Sequence, residues 1–310
     1  MPDICLWNRC NNHCVMCTNP VGFQSEENAK NYSYKKFIER IKRSGLYLKT
    51  TKDNINLTGG EPTTHPYFLE LLKWLRKNFP ENRIVLATNG RRFSYPWFAK
   101  RVLEIENLVI EIAILGPNEK LHDAITRTKG SFEQTIQGIS NILQYRKLKS
   151  KFQELELRII LVKQNYKIIG EILSLIYNKF PLADRVVIIF PEPEGVCKVN
   201  FQTVGLTYKQ VKKEIVQVTK KWKDKFNDLR FYHFPLCTLP STLWKYTWIT
   251  QRPEEVSYLS ICDRCLYRKY CCGIHGNYLK IVGKKEFKPI KESFNFRIGN
   301  NPYHPIIGVY

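Results

Sequence analysis

No run of apolar residues in this 310-residue chain is long enough to cross a bilayer. The opening residues, Met1-Pro2-Asp3-Ile4-Cys5, lack the basic-then-apolar pattern of an export signal. The sequence has no internal repeat and no low-complexity block, which excludes solenoids and fibrous arrays. Acidic residues are scarce: 28 Asp plus Glu stand against 49 Lys plus Arg, a formal charge of +21. The expectation is a cytoplasmic protein with no membrane partner. The charge admits two readings: a solubilising surface, or a docking face for an acidic partner such as nucleic acid, an acidic peptide or an acidic electron donor.

What is present is a globular balance, 43% hydrophobic and 25% charged. Short β-rich runs at 4–7, 54–58, 83–88, 108–115, 157–162 and 185–190 alternate with helical patterns. Phe68, Leu71, Leu72 and Leu75 share one helical face, as do Phe132, Ile136, Ile139 and Leu143. Six such alternations imply a parallel sheet with right-handed crossovers, too few units for a closed eightfold barrel. The expected fold is α/β, a partial (β/α)6 TIM barrel over 1–200, with catalytic groups at the C-terminal strand ends. After Gly195 the alternation is expected to stop. A basic amphipathic helix over 208–226, a Pro-punctuated stretch, a cysteine-rich segment and an irregular tail through Pro302 and Pro305 make up a small extension, 201–310.

The chain carries 10 cysteines, and clustered cysteines in a cytoplasmic protein are metal ligands or redox groups more often than disulfides. Cys10-Asn11-Asn12-His13-Cys14-Val15-Met16-Cys17 is a Cys-x3-Cys-x2-Cys set, a spacing expected by chance only about 0.01 times in a chain of this size. Such a loop suits three corners of an iron–sulfur cluster and leaves one iron open to a chelating amine and carboxylate. Zinc is the competing reading, with His13 as a fourth ligand. Downstream, Thr58-Gly59-Gly60-Glu61-Pro62 follows the second strand. Glycines there let backbone approach a ligand closely, and carbonyls with a carboxylate suit an ammonium group. Thr88-Asn89-Gly90 ends the third strand. His122 and Asp123 read equally well as structural or functional, since an Asp near a helix start is often a cap.

The triad and the Gly-Gly-Glu-Pro turn together resemble the signature of the radical S-adenosylmethionine (radical SAM) superfamily. That resemblance implies an enzyme holding a catalytic 4Fe–4S cluster on Cys10, Cys14 and Cys17, and S-adenosylmethionine beside Met16, Gly59, Gly60, Glu61, Pro62, Thr88, Asn89, Arg158 and Asn165. Met16 stands where the family usually has an aromatic residue. The Ser-Leu-Asp-Gly ending of the fourth strand in many relatives is replaced around Ala113 and Leu115. Cys262-Asp263-Arg264-Cys265 followed by Cys271 resembles the cysteine block of auxiliary-cluster (SPASM or twitch) domains. With Cys237 it implies a second 4Fe–4S cluster, and four-Cys zinc is the alternative. The runs Met16 to Pro20 and Leu236 to Trp244 further resemble the maturases of the His-Xaa-Ser peptide system.

The implied chemistry is reductive cleavage of S-adenosylmethionine to a 5′-deoxyadenosyl radical that abstracts hydrogen from a peptide or protein. A flavodoxin- or ferredoxin-type donor would supply the electron. A tRNA-modifying enzyme of the same chemistry and a non-enzymatic zinc scaffold are the other two readings. The triad begins so early that no separate leader-binding domain is expected before it.

Overall fold

The chain is described from a computed structural model, which covers residues 3–148 and 153–310. Met1 and Pro2, part of the stretch read for an export signal, lie outside the described residues. One eight-stranded sheet runs in chain order through β1 (Asp3–Trp7), β2 (Ile55–Gly59), β3 (Ile84–Thr88), β4 (Leu108–Ala113), β5 (Gln153–Ile160), β6 (Arg185–Ile189), β7 (Leu229–Tyr232) and β8 (Thr247–Trp248). The described pairings between these strands are parallel. Sequential order with parallel pairing is the winding of a partial TIM barrel.

The six expected strands open this sheet, and two short ones extend it past the point where alternation was expected to stop. Leu229-Arg230-Phe231-Tyr232 is too short to show a period of its own. It becomes a strand by pairing along β6, from Val186↔Leu229 to Ile189↔Tyr232. The C-terminal stretch is likewise not an irregular tail. β11 (Phe296–Ile298) pairs antiparallel with β12 (Ile306–Val309), while β9 (Val256–Ser257) pairs with β10 (Ile274–His275). Pro302 and Pro305 fall in the loop between β11 and β12, so they break nothing.

Contacts divide the chain into two compact units. The first comprises Met1–Cys14, Asn19–Arg158 and Asn178–Asp184; the second comprises Val15–Thr18, Ile159–Tyr177 and Arg185–Tyr310. In the first, Leu6, Ile55, Leu57, Ile84, Leu86, Ile110, Ile112, Leu155 and Leu157 are buried strand residues, and helix Phe68–Asn78 buries its expected face of Phe68, Leu71, Leu72 and Leu75. Burying each such side chain contributes ~1.5–3 kcal/mol. In the second unit the ring of Tyr208 stacks on Phe190 at 3.9 Å, with Phe234 and Tyr278 packed edge-on to Phe190. Among the described residues no helix is long and apolar enough to cross a membrane.

Helix Ser131–Leu148 buries Ile139 and Leu143 of its expected face and leaves Phe132 and Ile136 half-buried, while Thr135, Gly138, Asn141 and Ile142 are buried beside them. Gly138 sets the rotation, because a Cβ there would run into the Gly90 carbonyl oxygen. The start of the helix is fixed by Asp123, whose carboxylate accepts from the Gly130 amide (2.6 Å), the Ser131 hydroxyl (2.7 Å) and the Phe132 amide (2.8 Å). Burial raises the Asp123 pKa, but the Ser131, Phe132 and Gly130 donors outweigh that and hold it below the usual carboxylate value. A carboxyl with a lowered folded-state pKa contributes stability above its unfolded value and loses it as pH falls through the folded one. Asp123→Ala is therefore expected to cost about 1 kcal/mol at neutral pH, the range of a lost helix cap. In urea titrations the difference should shrink toward zero once pH drops below the native Asp123 pKa.

Candidate active site

β1 ends at Trp7 and feeds the cysteine loop, and the turn after β2 packs directly against that junction. The Gly60 amide donates to the Trp7 carbonyl and the Glu61 amide to the Arg9 carbonyl, each at 2.7 Å. Gly59 has φ +134°, a conformation that favours glycine. A Cβ on Gly60 would strike the Arg9 carbonyl oxygen and approach the Asn8 oxygen at 2.9 Å. The close neighbour of Gly60 is the chain's own backbone just before Cys10. Further ties fix the loop. Asn8 donates to the Phe23 and Ser25 carbonyls (both 2.9 Å), and the Cys10 amide donates to Gln24 (3.2 Å). The His13 amide donates to Thr126 O (2.9 Å), and Asn19 donates to Gly59 O (2.8 Å).

Glu61 is 1% exposed. Its Oε1 accepts from the Thr63 hydroxyl (2.6 Å), the Thr63 amide (3.1 Å) and the Thr88 hydroxyl (2.6 Å), and its Oε2 accepts from the Asn89 amide (2.6 Å). Burial raises its pKa, and the Asn89, Thr63 and Thr88 donors oppose the shift. The carboxylate thus ties the turn after β2 to the turn after β3. From that second turn two side chains reach the spacer between Cys10 and Cys14. Asn89 donates to the Asn11 side chain (2.6 Å), and the Arg91 guanidinium donates to the Asn11 carbonyl and to Asn12 Oδ1 (2.8 Å) while Gln134 holds its Nε at 2.7 Å. Sequence reasoning missed Arg91 and Gln134, which belong to no spaced motif, and it gave Asn11 and Asn12 no role beyond spacing Cys10 from Cys14.

Arg158, at the end of β5, has its guanidinium on Glu111 and, at 2.6 Å, on Glu156. Asn165 is fully buried in its own turn, where Oδ1 accepts from the Val162 amide (2.8 Å) and Nδ2 donates to the Ile160 carbonyl (2.9 Å). His122 is buried and accepts from the Leu115 amide through Nδ1 (3.2 Å); burial drives its pKa down to about 4, so the ring is neutral. Asp123 caps the following helix, which makes both residues of that pair structural.

In the second unit, Met16 is buried, Val15 O accepts from Asn200 (2.9 Å) and Cys17 O accepts from the Cys197 amide (2.8 Å). Burial, then the neighbouring Cys17 and Glu192, push the Cys197 thiol up to about 12. Farther along, Cys237, Cys262, Cys265 and Cys271 all line one cavity of about 360 Å³, solvent space included, together with Tyr258, Tyr267 and Arg268. Burial pushes the Cys237 thiol up to about 12; the Lys288 backbone opposes that, and the Cys271, Cys262 and Cys265 thiols reinforce it. Cys272 stands outside the lining, and its thiol points to the Gly273 carbonyl (3.4 Å). Among the described residues no three His, Cys, Asp or Glu side chains are gathered tightly enough for one metal ion. The four cysteines share the lining of that one space.

A family model described as the radical SAM superfamily matches residues 4–176, which takes in the triad and the Gly-Gly-Glu-Pro turn. The chain belongs to the radical SAM superfamily. Of curated relatives, the mycofactocin maturase MftC of Mycolicibacterium smegmatis is 25% identical over 176 residues, 56% of this chain and 41% of the relative. The GTP 3′,8-cyclase of Petrotoga mobilis is 30% identical over 141 residues, 46% of this chain and 42% of the relative. The chain therefore spans less than half the length of these relatives. Of solved structures, Streptococcus suis SuiB bound to precursor peptide SuiA superposes with a TM-score of 0.56 at 16% identity, over 74% of this chain and 47% of SuiB. Native anSMEcpe with bound AdoMet and a peptide gives 0.53 at 16%, over 74% of this chain and 64% of that one. At such identities the likeness is one of fold.

Radical SAM membership implies S-adenosylmethionine and a 4Fe–4S cluster. The donor set fits in kind, because Cys10, Cys14 and Cys17 are half-buried thiols in no disulfide, and in the first unit the stretch from Cys10 to Asn12 is held by Gln24 and Arg91. The packing of Gly60 gives a direct test. Gly60→Ala is expected to destabilise the protein by ~1–3 kcal/mol through overpacking, read as a lower melting temperature. An unchanged melt would show that Arg9 yields freely.

Proposed function

We propose that this radical SAM chain is a peptide or protein maturase with an auxiliary 4Fe–4S cluster on Cys237, Cys262, Cys265 and Cys271. The observation that supports it is the ring of those four thiols around one cavity, with Cys237 brought in from a different stretch of chain. Four corners and an interior space suit a cube of iron and sulfur, whereas zinc needs four donors converging on a point. The relatives that are maturases support the peptide class.

When bound, the triad's cluster and S-adenosylmethionine supply hydrogen abstraction by a carbon radical. The protein's share is placement and exclusion of water. Cys10, Cys14 and Cys17 hold three corners. Asn89 and Arg91 fix the spacer between Cys10 and Cys14, so that these two thiols need not reorganise on binding. Gly59, Gly60 and Pro62 offer backbone to the cofactor, and Thr88 and Asn89 close the next turn. Glu61 works as a positioning residue, since four protein donors occupy its carboxylate. Arg158 and Asn165 act through the end of β5 and the turn beyond it, given the partners that hold them. Met16 gives the cofactor an apolar wall.

Anaerobic reconstitution is expected to yield two clusters. Replacing Cys10, Cys14 and Cys17 with Ala should remove one cluster's iron and abolish cleavage of S-adenosylmethionine. Cys262→Ala with Cys265→Ala should remove the other while 5′-deoxyadenosine still forms with dithionite. Zinc in place of iron at the second set would falsify the auxiliary cluster.

The electron source is read from helix Tyr208–Trp222 and the residues after it. Thr207 caps the helix in a capping box with Gln210, and its apolar face buries Val211, Ile215, Val218 and Trp222. Lys209, Lys212, Lys213, Lys220, Lys221, Lys223 and Lys225 are left exposed. Such a face steers an acidic donor of flavodoxin or ferredoxin type. Changing Lys212, Lys213 and Lys220 to Glu should slow turnover with a protein reductant and spare turnover with dithionite. The difference should vanish in 1 M salt, where the Debye length is about 3 Å. Equal losses with both reductants would refute the docking role.

A further inference from the structure

Three strand ends of the second unit carry polar side chains used by neither the cysteine loop nor the thiol-lined cavity. Glu192 lies just past β6, His233 follows β7 directly, and Gln251 lies just past β8. C-terminal strand ends are where parallel α/β sheets place their reacting groups.

His233 has φ +68°. A left-handed conformation at a residue with a Cβ costs ~1–3 kcal/mol and persists only where the surroundings impose it. Here they do. The Tyr208 hydroxyl donates to the His233 carbonyl (3.1 Å), the Phe190 amide donates to the Tyr232 carbonyl (3.1 Å), and Tyr208 itself is stacked on Phe190. The strained backbone aims the imidazole back at β6. His233 Nδ1 lies 3.1 Å from the Phe190 carbonyl oxygen. A carbonyl only accepts, so Nδ1 carries the hydrogen, and in the ring's neutral form the lone pair sits on Nε2. Glu192 Oε1 lies 3.6 Å from the same Nδ1 and is itself held by Gln251 Nε2 at 2.9 Å. The His233 and Glu192 side chains keep 14% and 23% of their exposure.

Two other histidines show what a structural role looks like. His275 binds Glu194 through Nε2 (3.2 Å) and accepts from the Asn277 amide through Nδ1 (3.2 Å). His65 uses Nε2 on the Tyr32 carbonyl (2.9 Å) and Nδ1 on the Tyr67 amide (3.0 Å). Both rings are fully committed. His233 has one nitrogen oriented by the Phe190 carbonyl with the Glu192 carboxylate 3.6 Å away, and among the described residues no hydrogen bond engages the other.

The geometry points to His233 as a proton-accepting site for the substrate, oriented by the Phe190 carbonyl and supported by Glu192. This rests on the maturase reading. The substrate class is a peptide group bearing an N–H, O–H or S–H proton. The proton passes from that heteroatom to Nε2, and the bonding electron pair stays on the heteroatom. The resulting imidazolium keeps its Nδ1–H on Phe190 O, and the Glu192 carboxylate offsets its charge. No electron changes hands in this step.

The test uses the full chain, with diethyl pyrocarbonate as the probe of a bare imidazole nitrogen and nitrogen-15 NMR of labelled histidine as the tautomer readout. His233 is expected to show a protonated Nδ1 and a bare Nε2. It should be carbethoxylated readily, with His65 and His275 protected. Glu192→Gln should slow modification of His233 several-fold and leave dithionite-driven 5′-deoxyadenosine formation and the melting temperature unchanged. His233→Asn, which tolerates a positive φ, should likewise keep the melt and 5′-deoxyadenosine formation. A protonated Nε2, a modification rate indifferent to Glu192→Gln, or a large drop in melting temperature for His233→Asn would each overturn the proposal and make His233 a structural pin. If the unaltered chain forms no 5′-deoxyadenosine, the radical reading fails, and the imidazole measurements still decide the state of His233.

Discussion

A single buried carboxylate holds the first unit's functional end together. Glu61 accepts four hydrogen bonds from two turns that are distant in sequence. Hydrogen bonds to a charged group contribute about 1.5–3 kcal/mol each, and a buried polar group left unpaired costs about 1–3 kcal/mol. The turn after β2 and the turn after β3 are therefore locked to one another. Asn89 and Arg91, whose backbone belongs to the locked turn, then reach the spacer of the cysteine loop. The spacer between Cys10 and Cys14 is thus held, through Asn89 and Arg91, by a carboxylate two turns away.

Backbone proximity is the second constraint. Gly60 lets the turn after β2 sit on Asn8 and Arg9, and Gly138 lets helix Ser131–Leu148 sit on Gly90. Both contacts bear on the same two turns that Glu61 joins. Close packing of main chain on main chain leaves little slack, so the two turns and the stretch before Cys10 hold one arrangement. The buried aromatic set around Phe190 and Tyr208 plays the comparable part in the second unit, where it fixes the ends of β6 and β7 and with them the conformation of His233.

A candidate site is most legible in sequence where chemistry demands dense, local spacing. The Cys-x3-Cys-x2-Cys loop and the Gly-Gly-Glu-Pro turn are contiguous, so their residue types and order carry the information. Arg158 and Asn165 were singled out by place along the fifth strand. In the fold their polar atoms serve Glu111, Glu156 and the local turn. Arg91 and Gln134 went unseen because they matter through partners far away in the chain. His233 carried no signal either, since one histidine after a short strand is unremarkable until its φ and its neighbours are known.

The sequence by itself determined the alternation that builds the sheet, the helix faces with a clear 3.6-residue period such as Phe68–Asn78, and the two cysteine sets, because each is a local pattern imposed by backbone geometry or ligand chemistry. Tertiary structure decided the rest. β7 is a strand because β6 lies beside it, and Pro302 and Pro305 are harmless because β11 and β12 pair around their loop. The rotation of helix Ser131–Leu148 follows from one glycine meeting another turn. Glu61 is a brace because folding buries it among Thr63, Thr88 and Asn89. Spacing along the chain names candidate ligands, but hydrogen bonds and burial between distant segments assign each polar group its partner, and only folding brings those segments together.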